Sequence, residues 1–122
     1  MRAGRLYLLR EESPILLIED VMLTGSVWER MRGLLRRPPL REREALLIDR
    51  CASVHTWGMR YPLDLAFMDR KWKIRKLARD VRPWRMAWCR AAAVTLEMQA
   101  GTIDRLKLET GMQLVWQESA QK

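Results

Sequence analysis

Histidine occurs once in this chain of 122 residues, cysteine twice, phenylalanine once and tyrosine twice. These scarcities exclude a good deal. Cys51, His55 and Cys89 match no zinc-ligand spacing and need carboxylates to complete a four-ligand set, so no metal is expected. Nothing in the chain points to a cofactor, and none is expected. No apolar run approaches the ~20 residues that a membrane-spanning helix requires. No wide apolar helix face or lipidation motif marks a membrane-surface binder. No signal segment is expected in the N-terminal stretch, where Arg5, Arg10, Glu11 and Glu12 interrupt the apolar residues before Pro14. A cytoplasmic location is expected, in which both thiols stay reduced. Internal repeats and low-complexity tracts are also missing, which excludes solenoids and disordered chains.

What is there suits an ordinary globular domain, with 48% hydrophobic and 31% charged residues. The length predicts one domain over residues 1–122, large enough for a modest core without metal or disulfide help. The formal net charge of +8 stands out. It implies either an acidic partner or an Arg-rich composition with no partner behind it.

Short apolar runs at Arg5–Leu9 and Ile15–Ile18, split by Ser13-Pro14, predict a β-hairpin, with Val21–Leu23 extending its second strand. Ser26 and Glu29 form a capping box. Val27, Met31, Leu34 and Leu35 then give one apolar helical stripe that ends at Pro38-Pro39. Further strands are predicted at Ala45–Ile48, Ser53–Trp57, Leu63–Met68, Lys73–Ala78, Ala92–Met98 and Met112–Trp116. Leu63–Met68 alternates, with Leu63, Leu65 and Phe67 on one face and Asp64, Ala66 and Met68 on the other. Val81–Trp84 reads as loop. Thr102 is expected to cap a second short helix that Gly111 terminates. The expected class is mainly β: a compact, mostly antiparallel sandwich or barrel-like domain with two short helices.

The order of short motifs is itself informative. Arg30-Met-Arg32-Gly33-Leu34-Leu35 is followed by Ser53-Val-His55-Thr56-Trp57-Gly-Met59-Arg60, and then by Pro62-Leu-Asp64 with Phe67. Arg82-Pro83-Trp84, Leu96-Glu97 and Ala100-Gly101 follow in turn, and Gly111 closes the series. This order resembles the bacterial and archaeal family called domain of unknown function 192, over about residues 24–115. The resemblance implies a small β-sandwich or barrel and no defined activity, substrate or cofactor. The His-Thr-x-x-Met-Arg form is similar to the branch without an export signal. Trp72 stands where the family's hairpin turn offers Gly, and Met112 where Asp is common.

Three functional readings are candidates. His55, Thr56, Arg60, Asp64 and Glu97 would form a small polar pocket for a ligand or a protein partner if the two carboxylates project from one sheet surface. Arg32 joins this set by resemblance. The same Asp64 and Glu97 would serve an uncharacterised hydrolase-type enzyme. The structural alternative is that Asp64 binds loop N–H groups and His55-Thr56 satisfies buried backbone. The third candidate is a nucleic-acid surface on residues 70–90, which hold nine Lys and Arg against Asp80, with tryptophans interleaved. Its contact residues would be Arg75, Lys76, Arg79, Arg82, Trp84 and Arg85. A Cys51–His55 catalytic pair fails on geometry, since i and i+4 on a strand stand ~13 Å apart.

Overall fold

The computed structural model describes residues 2–25, 39–56 and 59–119, with His55 as backbone only. The predicted capping-box helix, Arg32, Trp57 and Gly58 lie outside them. Among these residues nine strands run in the order β1 (Arg2–Leu8), β2 (Ile15–Thr24), β3 (Glu44–Asp49), β4 (Ser53–His55), β5 (Leu63–Met68), β6 (Ile74–Val81), β7 (Met86–Trp88), β8 (Val94–Gln99) and β9 (Leu114–Glu118). A single turn of helix, α1 (Thr102–Arg105), precedes β9. The fold is mainly β and mostly antiparallel, as the alternation predicts.

Seven strands form one sheet in the order β6-β5-β8-β3-β2-β1-β9, and β2–β3 is its parallel pair. The two outer strands meet at one end. Lys73 bridges Gln113, the Ile74 N–H donates to the Met112 carbonyl at 2.8 Å, and the Leu114 N–H donates to the Trp72 carbonyl at 2.9 Å. This closure satisfies backbone groups that would otherwise lie on open edges, and it gives the sheet an inside and an outside. Leu6, Ile18, Val21, Leu47, Met68, Leu96 and Met98 fill the inside. Each such buried side chain contributes roughly 1.5–3 kcal/mol.

A second cluster lies on the outer face of β3, β5 and β8. Leu46, Ile48, Leu63, Leu65 and Phe67 pack there against Cys51, Val54 and Met59. The two-stranded sheet β4–β7 forms a flap that contributes Val54 and Ala87 to this cluster. All six residues of β5 are buried as a result. A half-exposed sheet would leave alternate residues wet, whereas the flap keeps Leu63, Leu65 and Phe67 dry.

The β5–β6 turn departs from the glycine form. Trp72 takes φ 63°, a left-handed conformation that L side chains rarely adopt. The Asp69 carboxylate accepts the Lys71 and Lys73 N–H groups at 2.9 and 3.1 Å and holds the turn in shape. Trp72 also packs its ring on the inner core. Gly4 is required for a different reason. A Cβ there would lie 2.4 Å from the Gln117 carbonyl oxygen and 2.5 Å from the Trp116 ring.

The end of the chain differs from expectation at the helix. Gly101, at φ 96°, is the residue before α1, and no side chain of its own segment caps it. Thr102 is already helical. The terminator is Lys107 at φ 55°, not Gly111, with the Leu108 N–H returning to the Ile103 carbonyl at 2.9 Å. What caps the helix start comes from β5.

Candidate functional site

Asp64 supplies that cap. Its Oδ2 accepts the Gly101 N–H at 3.0 Å and the Ile103 N–H at 2.9 Å, while Oδ1 accepts the Asp80 N–H at 2.9 Å. Asp80 sits at φ 51° within a bulge of β6, where the pairing with β5 slips between Leu63–Val81 and Leu65–Ala78. One buried carboxylate thus joins a helix start and a strand bulge that are distant in sequence. Three charge-assisted bonds to backbone donors are the reason a charge is tolerated there. They also leave Asp64 committed to the fold, as the structural alternative expects.

The expected carboxylate pair does not form. In the β5–β8 ladder Asp64 lies opposite Met98, and Glu97 lies opposite Leu65. Paired residues share a face and neighbours in sequence alternate, so Asp64 points to the inner side and Glu97 to the outer. Glu97 is fully buried, beside Leu46 on β3 and Leu65 on β5, and is itself engaged. The one-residue offset between the strands is the physical reason: it flips the relation between the faces.

Thr56 is a fastener. Its hydroxyl donates to the Arg82 carbonyl at 2.6 Å and accepts the Arg85 N–H at 2.9 Å. Its backbone N–H reaches the Arg85 carbonyl at 2.9 Å, and its carbonyl receives the Trp84 and Met59 N–H groups at 3.1 and 3.2 Å. The segment after β4 is thereby pinned to the turn before β7. Arg60 is exposed a few residues on. Cys51 donates to the Ser53 carbonyl at 2.9 Å, a local bond inside the outer cluster.

The flap carries the feature that sequence reading only half finds. Trp84 is 68% exposed, Met86 49% and Trp88 56%. Met86 and Trp88 alternate with the inward-packed Ala87 on β7, and Trp84 stands in the preceding turn at φ 65°. Antiparallel pairing sets Met86 opposite His55 and Trp88 opposite Ser53. Sequence reading names Trp84 and Trp88 among the tryptophans of the basic stretch, with Trp84 in its contact set, and misses Met86. The signal was Trp-x-Met-x-Trp, and Pro83 together with the shortness of β7 hides it.

One cation lies over a ring of this set, and further exposed cations neighbour it in the chain. The Lys76 ammonium lies 5.5 Å from the centre of the Trp88 ring and donates to the Trp88 carbonyl at 2.7 Å. Arg82, Arg85 and Arg90 are exposed. Arg75 and Arg79 have local anions, Asp69 at 3.3 Å and Asp104 at 3.0 Å. Exposed pairs of this kind are worth little and exchange readily.

A cleft of about 550 Å³ opens elsewhere, lined by Glu19, Asp20 and residues 41–44. None of the predicted site residues whose side chains are described lines it. No described group of three or more His, Cys, Asp or Glu is placed to hold a metal ion. No helix among the described residues is long and apolar enough to cross a membrane.

Known proteins give the fold a context. The family model DUF192, described as "Uncharacterized ACR", matches residues 11–116. A solved structure of a candidate transcription regulator from Sinorhizobium meliloti 1021 is 24% identical with a TM-score of 0.78, covering 93% of each chain. A protein of unknown function from Novosphingobium aromaticivorans DSM 12444 also superposes at a TM-score of 0.78, with 18% identity over 93% of this chain and 85% of its own. At these identities the likeness is one of fold. No curated protein matches the chain.

Proposed function

We propose, from the premise that this chain belongs to the uncharacterised family DUF192, that it is a binding module for an acidic partner. The contact face is the β4–β7 flap, beside the 55–64 segment. The exposure of Trp84, Met86 and Trp88 together on this flap carries the reading. Large apolar side chains held in water among cations favour contact with another molecule, because scattered single exposures are ordinary and a grouped set is not. The chain's charge of +8 gives an acidic partner a long-range attraction.

The polar-pocket and hydrolase readings lose their support in the carboxylates. Asp64 and Glu97 point to opposite sides of one sheet, and every oxygen of Asp64 already accepts a backbone N–H. A mechanism that uses both carboxylates needs both within reach of one substrate.

Heparin chromatography tests the proposal with a generic polyanion. Wild-type protein should be retained and should elute at a salt concentration that drops when Arg82→Gln and Arg85→Gln are combined. Elution in the void volume, or an elution point that ignores both substitutions, would remove the flap as the acidic-partner face.

A further inference from the structure

We infer that the partner of the flap is single-stranded nucleic acid, with bases stacked on Trp84 and Trp88 and phosphates held by Arg82, Arg85 and Arg90, while Lys76 braces Trp88. This inference rests on the acidic-partner reading above and narrows it to one chemical class.

The arrangement of the face argues for this occupant. Basic and aromatic side chains interleave along the chain as Arg82, Trp84, Arg85, Met86, Trp88 and Arg90. A single strand offers the same alternation, a charged phosphate and a flat apolar base at each step, and proteins that bind it without sequence preference combine these two elements. A membrane-surface binder instead gathers its apolar residues on one continuous face with the cations at the rim. Here the exposed apolar groups are three side chains on a short flap rather than an apolar helix face, with Arg85 set between Trp84 and Met86. Protein interfaces also favour Trp, Met and Arg; the order of cations and rings along the chain is what favours a single strand over an acidic protein.

The Trp88 ring is prepared for stacking. Lys76 fixes the strand through the Trp88 carbonyl and places its ammonium over the ring, so part of the positioning cost is met before binding. The turn at Trp84 is equally constrained, since the N–H groups of Trp84 and Arg85 are held by the Thr56 carbonyl and hydroxyl. Four residues along an extended chain span at most ~13 Å, which sets an upper limit on the separation of the two ring-bearing positions. Duplex has its bases stacked internally and offers these rings nothing. Discrimination against duplex is therefore expected.

The test uses the full chain and labelled single-stranded oligonucleotides of ~12 nucleotides, within the ~4–16 that such sites cover. Anisotropy and tryptophan fluorescence are followed together. The same titration is run with the matching duplex, heparin, polyglutamate and phosphatidylserine–phosphatidylcholine vesicles. Single strands should bind with quenching and bind more tightly than duplex. Trp84→Ala and Trp88→Ala should each weaken binding by about ten-fold or more. Trp84→Phe and Trp88→Phe should restore most of it, and unchanged thermal unfolding would confirm that the variants fold. The slope of log affinity against log salt should flatten by ~0.7 for each phosphate contact removed through Arg82→Gln or Arg85→Gln.

Preference for vesicles, polyglutamate or duplex would overturn the inference, as would oligonucleotide binding that ignores both tryptophans. Retention on heparin with no such stacking dependence would overturn the inference and leave the acidic-partner reading standing. Failure to bind any of these polyanions would overturn both.

Discussion

The inner end of the barrel around Asp64 and the outer flap around Thr56 use polar side chains for similar joints, with different consequences. Asp64 spends both oxygens on three backbone donors and is sealed in. Thr56 ties a loop to a turn with one hydroxyl, and what it holds up is exposed: Trp84 at 68% and its neighbours on β7. The inner joint closes a core. The outer joint presents a surface. Burial of a polar group is therefore a poor guide to function here, because both joints are buried and only one supports a face that another molecule can reach.

Substitutions can sharpen or break this contrast. The largest effect should follow Asp64→Ala, which strands three donors at once. Each unsatisfied buried donor costs ~1–3 kcal/mol, so a loss of about 3 kcal/mol or more is expected in denaturant unfolding. Asp64→Asn should also lose stability, because its NH₂ group must face at least one donor. An Asp64→Asn protein as stable as wild type would return Asp64 to the list of candidate ligand-binding residues.

Thr56→Val should cost less, about 1–2 kcal/mol, since it leaves one N–H and one carbonyl unpaired near the surface. The loss should be accompanied by faster amide exchange at Arg85. Loss of stability without local exchange would mean that the hydroxyl does not fasten the flap.

Acid should act more weakly again. Backbone donation from Lys73 holds the Asp69 carboxyl below its ordinary range, with help from Lys71 and Arg75. Contact with Arg2 lowers Glu118 in the same way. A depressed folded-state value stabilises the fold above the unfolded carboxylate range, and that contribution is lost as pH falls through the folded value. The thermal midpoint should therefore decline in acid, and Asp69→Asn should decline less between neutral pH and pH ~3, below the ordinary carboxylate range. Equal pH slopes for both proteins would remove Asp69 from the account of the turn.

Trp84→Ala should barely move stability, within about 0.5 kcal/mol, as for other exposed positions. A much larger loss would mean that Trp84 belongs to the fold rather than to a binding face.

Much of the architecture was legible because alternation is a local property. Leu63–Met68 reads as a strand from its period alone, and its bounds match β5. The β1–β2 hairpin and β8 follow from the same reasoning. β7 was not legible, since three residues after a proline carry too little pattern. The Thr102 cap failed for a related reason. Sequence rules look for a cap within the adjoining residues, and the acceptor here comes from position 64 across the sheet.

The candidate site shows the same division. The chain's own order of residues is enough to identify Asp64 as an unusual acid in an apolar strand, to place Trp84 in a basic stretch and to identify the family. It also implies a mainly β fold, because period-2 patterning needs no knowledge of partners. Whether two acids on two strands meet depends on register, and one residue of offset sends them to opposite faces. Whether a tryptophan stands in water depends on what folds back over it. Both are properties of non-local pairing, which only the folded chain specifies.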